Sequence, residues 1–148
     1  MQEVYERVWI ANDSACRTGN ETLAVVHACK APYHQQAVGY RGSLPNTYPN
    51  YLVAEHASDL FLNIIDPPVP LFKSHSFTSF LLFAEANWNN GKQLFIHCNQ
   101  GESRGPSLVF LFLAKRLFAI NGSSYQLARE DFSLIYVWAV KRDHFAYD

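Results

Sequence analysis

Three things are scarce in this 148-residue chain: cysteine, net charge and long apolar runs. It has three cysteines, an odd number that builds no secreted disulfide framework. A reducing, cytoplasmic setting follows as the expectation, with thiols that are either buried or chemically active. Twelve basic residues almost balance thirteen acidic ones, for a formal net charge of −1. That excludes a nucleic-acid binder working by bulk electrostatics. No apolar stretch reaches the roughly 20 residues of a membrane span, and the most apolar segment, Ser107–Leu113, is ended by Lys115 and Arg116. The N-terminal "MQEVYERVWIAND" has no basic region leading into an apolar core, so neither a signal peptide nor a membrane partner is expected. What is present is a globular composition, 49% hydrophobic and 15% aromatic, outside the range of disordered chains. The length suits one domain, residues 1–148, with a sizeable core, and a monomer is the default expectation.

The apolar pattern alternates between two periods. "VWIA" (Val8–Ala11), "ETLAVVHAC" (Glu21–Cys29), "DLFLNIID" (Asp59–Asp66) and "KQLFIH" (Lys92–His97) read as strands. "SHSFTSFLLFAEANW" (Ser74–Trp88) places Phe77, Phe80, Leu81 and Ala84 at helical spacing, and "NNG" stops it. A second helix starts around Pro106, a residue tolerated in a first turn; it is apolar nearly all round and belongs in the domain centre. "NGSS" caps a final helix, Ser124–Val140. Between Lys30 and Asn50 lies a long irregular stretch rich in Pro, Gly, Tyr and His, and a connection of that length is usually functional. Strands alternating with helices predict an α/β domain, a central and mainly parallel sheet flanked by helices.

One loop concentrates the chemistry. In "LFIHCNQGESRGPSLVFLF" (Leu94–Phe112) a strand leads into a polar loop and the loop into a helix, with Cys98 at the strand's end and Arg104 six positions on. Ligands bind α/β sheets at the carboxyl ends of strands. Backbone amides of a tight loop entering a helix form an anion cradle, and Gly101 supplies the bend. Arg104 adds a forked, permanently charged donor suited to two phosphate oxygens. Both the helix N-terminus and Arg104 favour the thiolate of Cys98. A nucleophile inside a phosphate-sized anion site points to attack of sulfur on phosphorus.

"HCNQGESRGP" resembles the His-Cys-x5-Arg signature of the cysteine-dependent protein tyrosine phosphatase superfamily, and its Gly-x-Ser-Arg form followed by Pro-Ser-Leu-Val is most similar to the dual-specificity branch. "VWIANDSACRTGNETLAVVHAC" resembles that branch's first strand, first helix and second strand, and "FAEANWNNGKQLFIHC" its approach to the signature. Low-molecular-weight tyrosine phosphatases carry the same motif near their N-terminus, whereas here it lies two-thirds along the chain. The resemblance implies a phosphatase that hydrolyses phosphotyrosine, and phosphoserine or phosphothreonine, through a phosphocysteine, with a phosphorylated protein or a small phosphomonoester as its partner. It implies Cys98 as nucleophile, Arg104 as clamp and a phosphate-binding loop of Asn99, Gln100, Gly101, Glu102, Ser103 and Arg104. It also implies no cofactor and no metal, because Arg104 and the amides supply the charge stabilisation. "HACKAPYH" lacks the spacing of a structural zinc motif.

The same resemblance calls for an acid about thirty residues before the cysteine. Asp66 stands 32 positions before Cys98, between a strand and "PPVP"; the competing Asp59 precedes that strand and belongs at its far end. His97 is expected to orient the loop without touching substrate, Ser103 to bond the loop backbone and Glu102 to face outward. Lys30, His34 and Arg41 are candidates for the substrate rim, and Cys29 for a redox partner of Cys98; Cys16 carries no functional expectation. The chain departs from the pattern at Gly105, where the family has Ser or Thr. A hydrogen bond to a charged group contributes ~1.5–3 kcal/mol, so its loss slows a step by roughly one to two powers of ten, phosphoenzyme breakdown before formation. Ser107, in the first helical turn, is a candidate to compensate. Two other readings stay open: a phosphatase of a nucleotide, RNA end or inositol phosphate, and a low-turnover phosphate-binding pseudophosphatase.

Overall fold

The alternating signals converge on one sheet of six strands in the order β1-β2-β6-β3-β5-β4. The computed structural model describes residues 1–12, 17–64, 73–98 and 104–134. Four central strands run parallel: β2 (Val8–Ala11), β6 (Gln93–His97), β3 (Leu23–His27) and β5 (Asp59–Leu62). Antiparallel edges close the sheet, β1 (Gln2–Tyr5) on β2 and β4 (Val53–His56) on β5. The expected α/β class with a mainly parallel, helix-flanked sheet is therefore present.

Alternation along the strands divides two faces. Val8, Ile10, Ala24, Val26, Leu60, Leu62, Leu94 and Ile96 join the main core. On that face α2 (Ser74–Asn89) packs against β3, β5 and β6, α3 (Arg104–Lys115) against β2 and β6, and α4 (Tyr125–Ser133) against α3. His27, Phe61 and His97 belong to the other face, where Tyr33 from a helical turn, Lys30–His34, covers the two histidines. That turn runs on into α1 (Gln35–Val38).

The local signals explain most boundaries. α2 buries Phe80, Leu81 and Ala84, the spacing that predicts it, and is stopped where Gly91 turns at φ +81°. α3 buries ten of its twelve residues, as a helix apolar all round must. Ser124 caps α4, its hydroxyl accepting from the Leu127 amide at 3.3 Å. α4 is described to Ser133, so the rest of the expected Ser124–Val140 helix lies outside the described residues. β5 ends at Leu62, shorter than expected, and the tail of "DLFLNIID" beyond Ile64 also lies outside them. The first helix implied by resemblance is absent from residues 17–22, while 13–16, including Cys16, are not among those described. Among the described residues no helix is long and apolar enough to cross a membrane.

Phe110 joins the sheet-covering helix to the last one. It is fully buried, with its ring 5.2 Å from Phe132 and 5.8 Å from Tyr125. Replacing it with Ala removes that payload and leaves a cavity, so Phe110→Ala is expected to lower unfolding free energy by about 3–5 kcal/mol in a denaturant titration.

Candidate active site

β6 and α3 are in sequence the two arms of the polar loop, and in space they face each other across it. β6 ends at His97; Cys98 follows, 2% exposed. α3 starts at Arg104, itself only 6% exposed. The Gly105 amide at the head of α3 donates to Cys98 Sγ at 3.3 Å. A helix N-terminus thus delivers an N–H and the positive end of its dipole to the sulfur. Arg104 Nη1 donates to the Ile64 carbonyl at 3.1 Å, and the Lys30 amide donates to the same oxygen at 3.3 Å. That carbonyl, just past β5, joins the exit of β3 to the start of α3. Cys98, Arg104, Gly105 and His97 are brought together. Asp66, two residues after Ile64, and the loop residues Asn99, Gln100, Gly101, Glu102 and Ser103 lie outside the described residues.

Gly105 has room for a side chain. A Cβ built there would stand 3.5 Å from Cys98 Sγ and 3.5 Å from the Ile96 carbonyl, ordinary contact distances. The glycine is therefore not forced by sterics, and a hydroxyl-bearing residue fits beside the sulfur. Ser107 is half-buried in the first turn of α3.

Behind Cys98 lies a buried polar chain that sequence reading did not assemble. Parallel pairing sets His27 directly beside His97. His27 Nδ1 meets His97 Nε2 at 2.6 Å, and His27 Nε2 meets Asp59 Oδ1 at 2.7 Å. The carboxylate oxygens of Asp59 also accept from the Gly19 amide, at 3.0 and 3.1 Å. Gly19 can approach because it has no Cβ; one would collide with the Ser58 backbone. His27 is sandwiched between Phe61, 4.4 Å away, and Tyr33 at 5.5 Å. Burial lowers the His27 pKa from 6.5, with Asp59 opposing. Asp59 does lie at the start of β5, the far end of that strand, as its place in the sequence suggests.

His34, expected at the rim, is instead fully buried. Its ring ties the following loop down, with Nδ1 2.7 Å from the Tyr40 hydroxyl and Nε2 2.9 Å from the Asn50 carbonyl. The correction has a simple cause: the first part of the presumed irregular stretch is helical and turns His34 inward against Tyr40. Lys30 is half-buried beside Ile64, and Arg41 is exposed. Cys29 and Cys98 are both buried; the Ala28 amide donates to the His97 carbonyl at 2.9 Å, so Cys29 follows directly after the paired strands.

No protein-family model and no curated protein matches the chain. Among solved structures, the human tyrosine phosphatase-like serine/threonine/tyrosine-interacting protein aligns with a TM-score of 0.63 at 16% sequence identity, over 94% of this chain and 85% of that one. The chain has the fold of that tyrosine phosphatase-like protein.

Two of the buried histidines, His27 and His34, make stability depend on pH. Burial lowers the pKa of His34, like that of His27, below 6.5. The unfolded chain then binds more protons than the folded one between 6.5 and the lowered values, so stability is whole above pH 6.5 and drains away as pH falls through them. Each histidine contributes up to about 1.4 kcal/mol per pH unit across its window. Thermal melts are expected to be flat just above neutrality and to fall below it, and His34→Gln should shallow that fall.

Proposed function

We propose that the chain is a cysteine-dependent phosphatase of the dual-specificity type, hydrolysing phosphate monoesters through a phosphocysteine. The observation that carries the reading is the Gly105 amide on Cys98 Sγ at the head of a helix whose first residue is a buried arginine. A structural cysteine needs neither the amide donor nor the guanidinium, whereas a thiolate attacking a phosphate dianion needs both.

In the first half-reaction the Cys98 thiolate forms an S–P bond while the P–O bond to the leaving group breaks. Asp66, as the acid, passes its proton to the departing oxygen. The Arg104 guanidinium and the amides of the Asn99–Ser103 loop carry the equatorial oxygens, whose charge is spread in the transition state. In the second, Asp66 as carboxylate takes a proton from water, the water oxygen forms the new P–O bond, and the S–P bond breaks to return the thiolate. The Gly105 amide remains a donor to sulfur when it leaves, but the hydroxyl other family members add is missing, so this second step is the slower one.

The similar human protein is named as phosphatase-like and as interacting with serine, threonine and tyrosine; a phosphate-binding module with little turnover is the corresponding second reading here, with Gly105 in its favour. Hydrolysis of para-nitrophenyl phosphate separates the two. Wild type is expected to turn over, Cys98→Ser to be inactive and Asp66→Asn to be slowed about a hundredfold or more. Phosphate binding without turnover in the wild type would establish the module instead. A panel of phosphopeptides, nucleotides and inositol phosphates then identifies the ester class.

Gly105 adds a kinetic prediction. Rapid-quench experiments on an aryl phosphate are expected to show a burst followed by a slower steady state. Gly105→Ser, which the 3.5 Å clearance to Sγ admits, is expected to raise the steady-state rate by roughly tenfold or more. A linear time course together with no gain from the serine would remove phosphocysteine breakdown as the slow step.

A further inference from the structure

We propose that His27 and Asp59 are positioning residues for the Cys98 nucleophile: the buried chain Asp59–His27–His97 dictates which nitrogen of His97 carries hydrogen and stores the proton that favours the Cys98 thiolate. This rests on the reading of Cys98 as nucleophile. Neither Asp59 nor His27 is needed for the steps described above.

The hydrogen inventory follows from the contacts. Asp59 accepts from the Gly19 amide and faces His27 Nε2, so Nε2 carries the hydrogen. In the neutral pair His27 Nδ1 is then a lone pair, and the 2.6 Å contact requires His97 to donate from Nε2. The hydrogen of the neutral His97 ring is then on Nε2 and not on Nδ1. Adding one proton from solvent changes this in a single way. Whether it is counted on His27 or on His97, one hydrogen is shared between the two rings and His97 Nδ1 gains another. One proton therefore converts His97 Nδ1 from acceptor to donor and places a positive charge one residue from the sulfur.

The surroundings suit a proton store. His27 is 4% and His97 1% exposed, so their interaction is little screened. The groups facing the pair are Asp59 from β5, Tyr33 from the helical turn and Arg17, which lies over Phe95; Cys98 follows His97 directly in the chain. Phe61, between His27 and His56, is the apolar wall. Asp59 and His27 line a pocket of about 400 Å³ with Arg17, Tyr33 and Phe61, a route by which solvent exchanges the proton. Burial lowers the pKa of His27 from 6.5, while the hydrogen bond and the charge of Asp59 oppose that shift.

The sign of one substitution separates this from simple charge effects. Asp59→Asn removes a negative charge; acting through space alone, that would favour the thiolate and move Cys98 ionisation to lower pH. Acting through the chain, it weakens proton storage and moves ionisation to higher pH. The readout is iodoacetamide alkylation of Cys98 against pH, resolved by peptide mass spectrometry from Cys16 and Cys29, on samples whose thermal melts show them folded. Asp59→Asn and His27→Phe are each expected to raise the midpoint by about half a pH unit or more, and the double variant to do no more than either single one. An unchanged or lowered midpoint in Asp59→Asn overturns the proposal. Should neither variant fold, imidazole ¹⁵N spectra of the wild type decide: above neutrality His97 must be the Nε2–H tautomer, and an Nδ1–H tautomer contradicts the proposal. None of these readouts needs turnover, so an inactive protein with the expected midpoints defeats the phosphatase reading and leaves this one standing.

Discussion

The parallel pairing of β3 with β6 is the constraint on which the site depends. It lies at the middle of the sheet and persists past the last paired residues, where the Ala28 amide reaches the His97 carbonyl at 2.9 Å. Its register sets His27 against His97 on one face while Val26 and Ile96 point into the core on the other. Since side chains alternate with period two, a slip of one residue would send both histidines into the apolar core and core residues to the opposite face. The same register fixes where β6 ends, and so where Cys98 begins the loop. A buried helix pressed against β2 and β6 then brings the amide of its second residue, Gly105, to the sulfur.

Burying a guanidinium without partners costs several kcal/mol, and Arg104 is buried. Its bond to the Ile64 carbonyl offsets part of that cost and fixes the side chain against the end of β5. Ile64 lies two residues before Asp66, so the proposed phosphate clamp and the segment carrying the proposed acid share one anchor. The amide of Gly105 has a comparable double use. It satisfies one of the orphan donors every helix start must dispose of, and it does so on Cys98, the proposed nucleophile. The side chain missing at this position removes one donor from the sulfur and leaves the backbone donor in place. On the proposed mechanism, that asymmetry makes Gly105 bear on rate rather than on the presence of the site.

Much of this was legible in the sequence, because the legible parts are local. A strand ending at His97, a glycine-containing loop and a Pro-bearing apolar helix are each signalled within a few residues, and the four parallel strands all appeared with their approximate bounds. The edge strands β1 and β4 did not, since four residues with mostly exposed side chains show no apolar alternation. The helical turn at Lys30–His34 was hidden by its Pro and by its aromatic composition. His34 was misplaced for the same reason. The Asp59–His27–His97 chain was beyond local reading altogether, for its contacts join residues 32 and 70 positions apart. The one available hint was that "VVHAC" and "FIHC" both end a strand on histidine just before a cysteine, as adjacent parallel strands in register would.

The central claim is that Cys98 attacks phosphorus, and the intermediate itself is the most direct evidence for it. Acid-quenched samples taken milliseconds after mixing with an aryl phosphate, digested and analysed by mass spectrometry, should show one phosphoryl group on the peptide that carries Cys98, and none there in Cys98→Ser. Turnover of the ester with no phosphorylated cysteine at any quench time, or a phosphoryl group on another residue, would contradict the account.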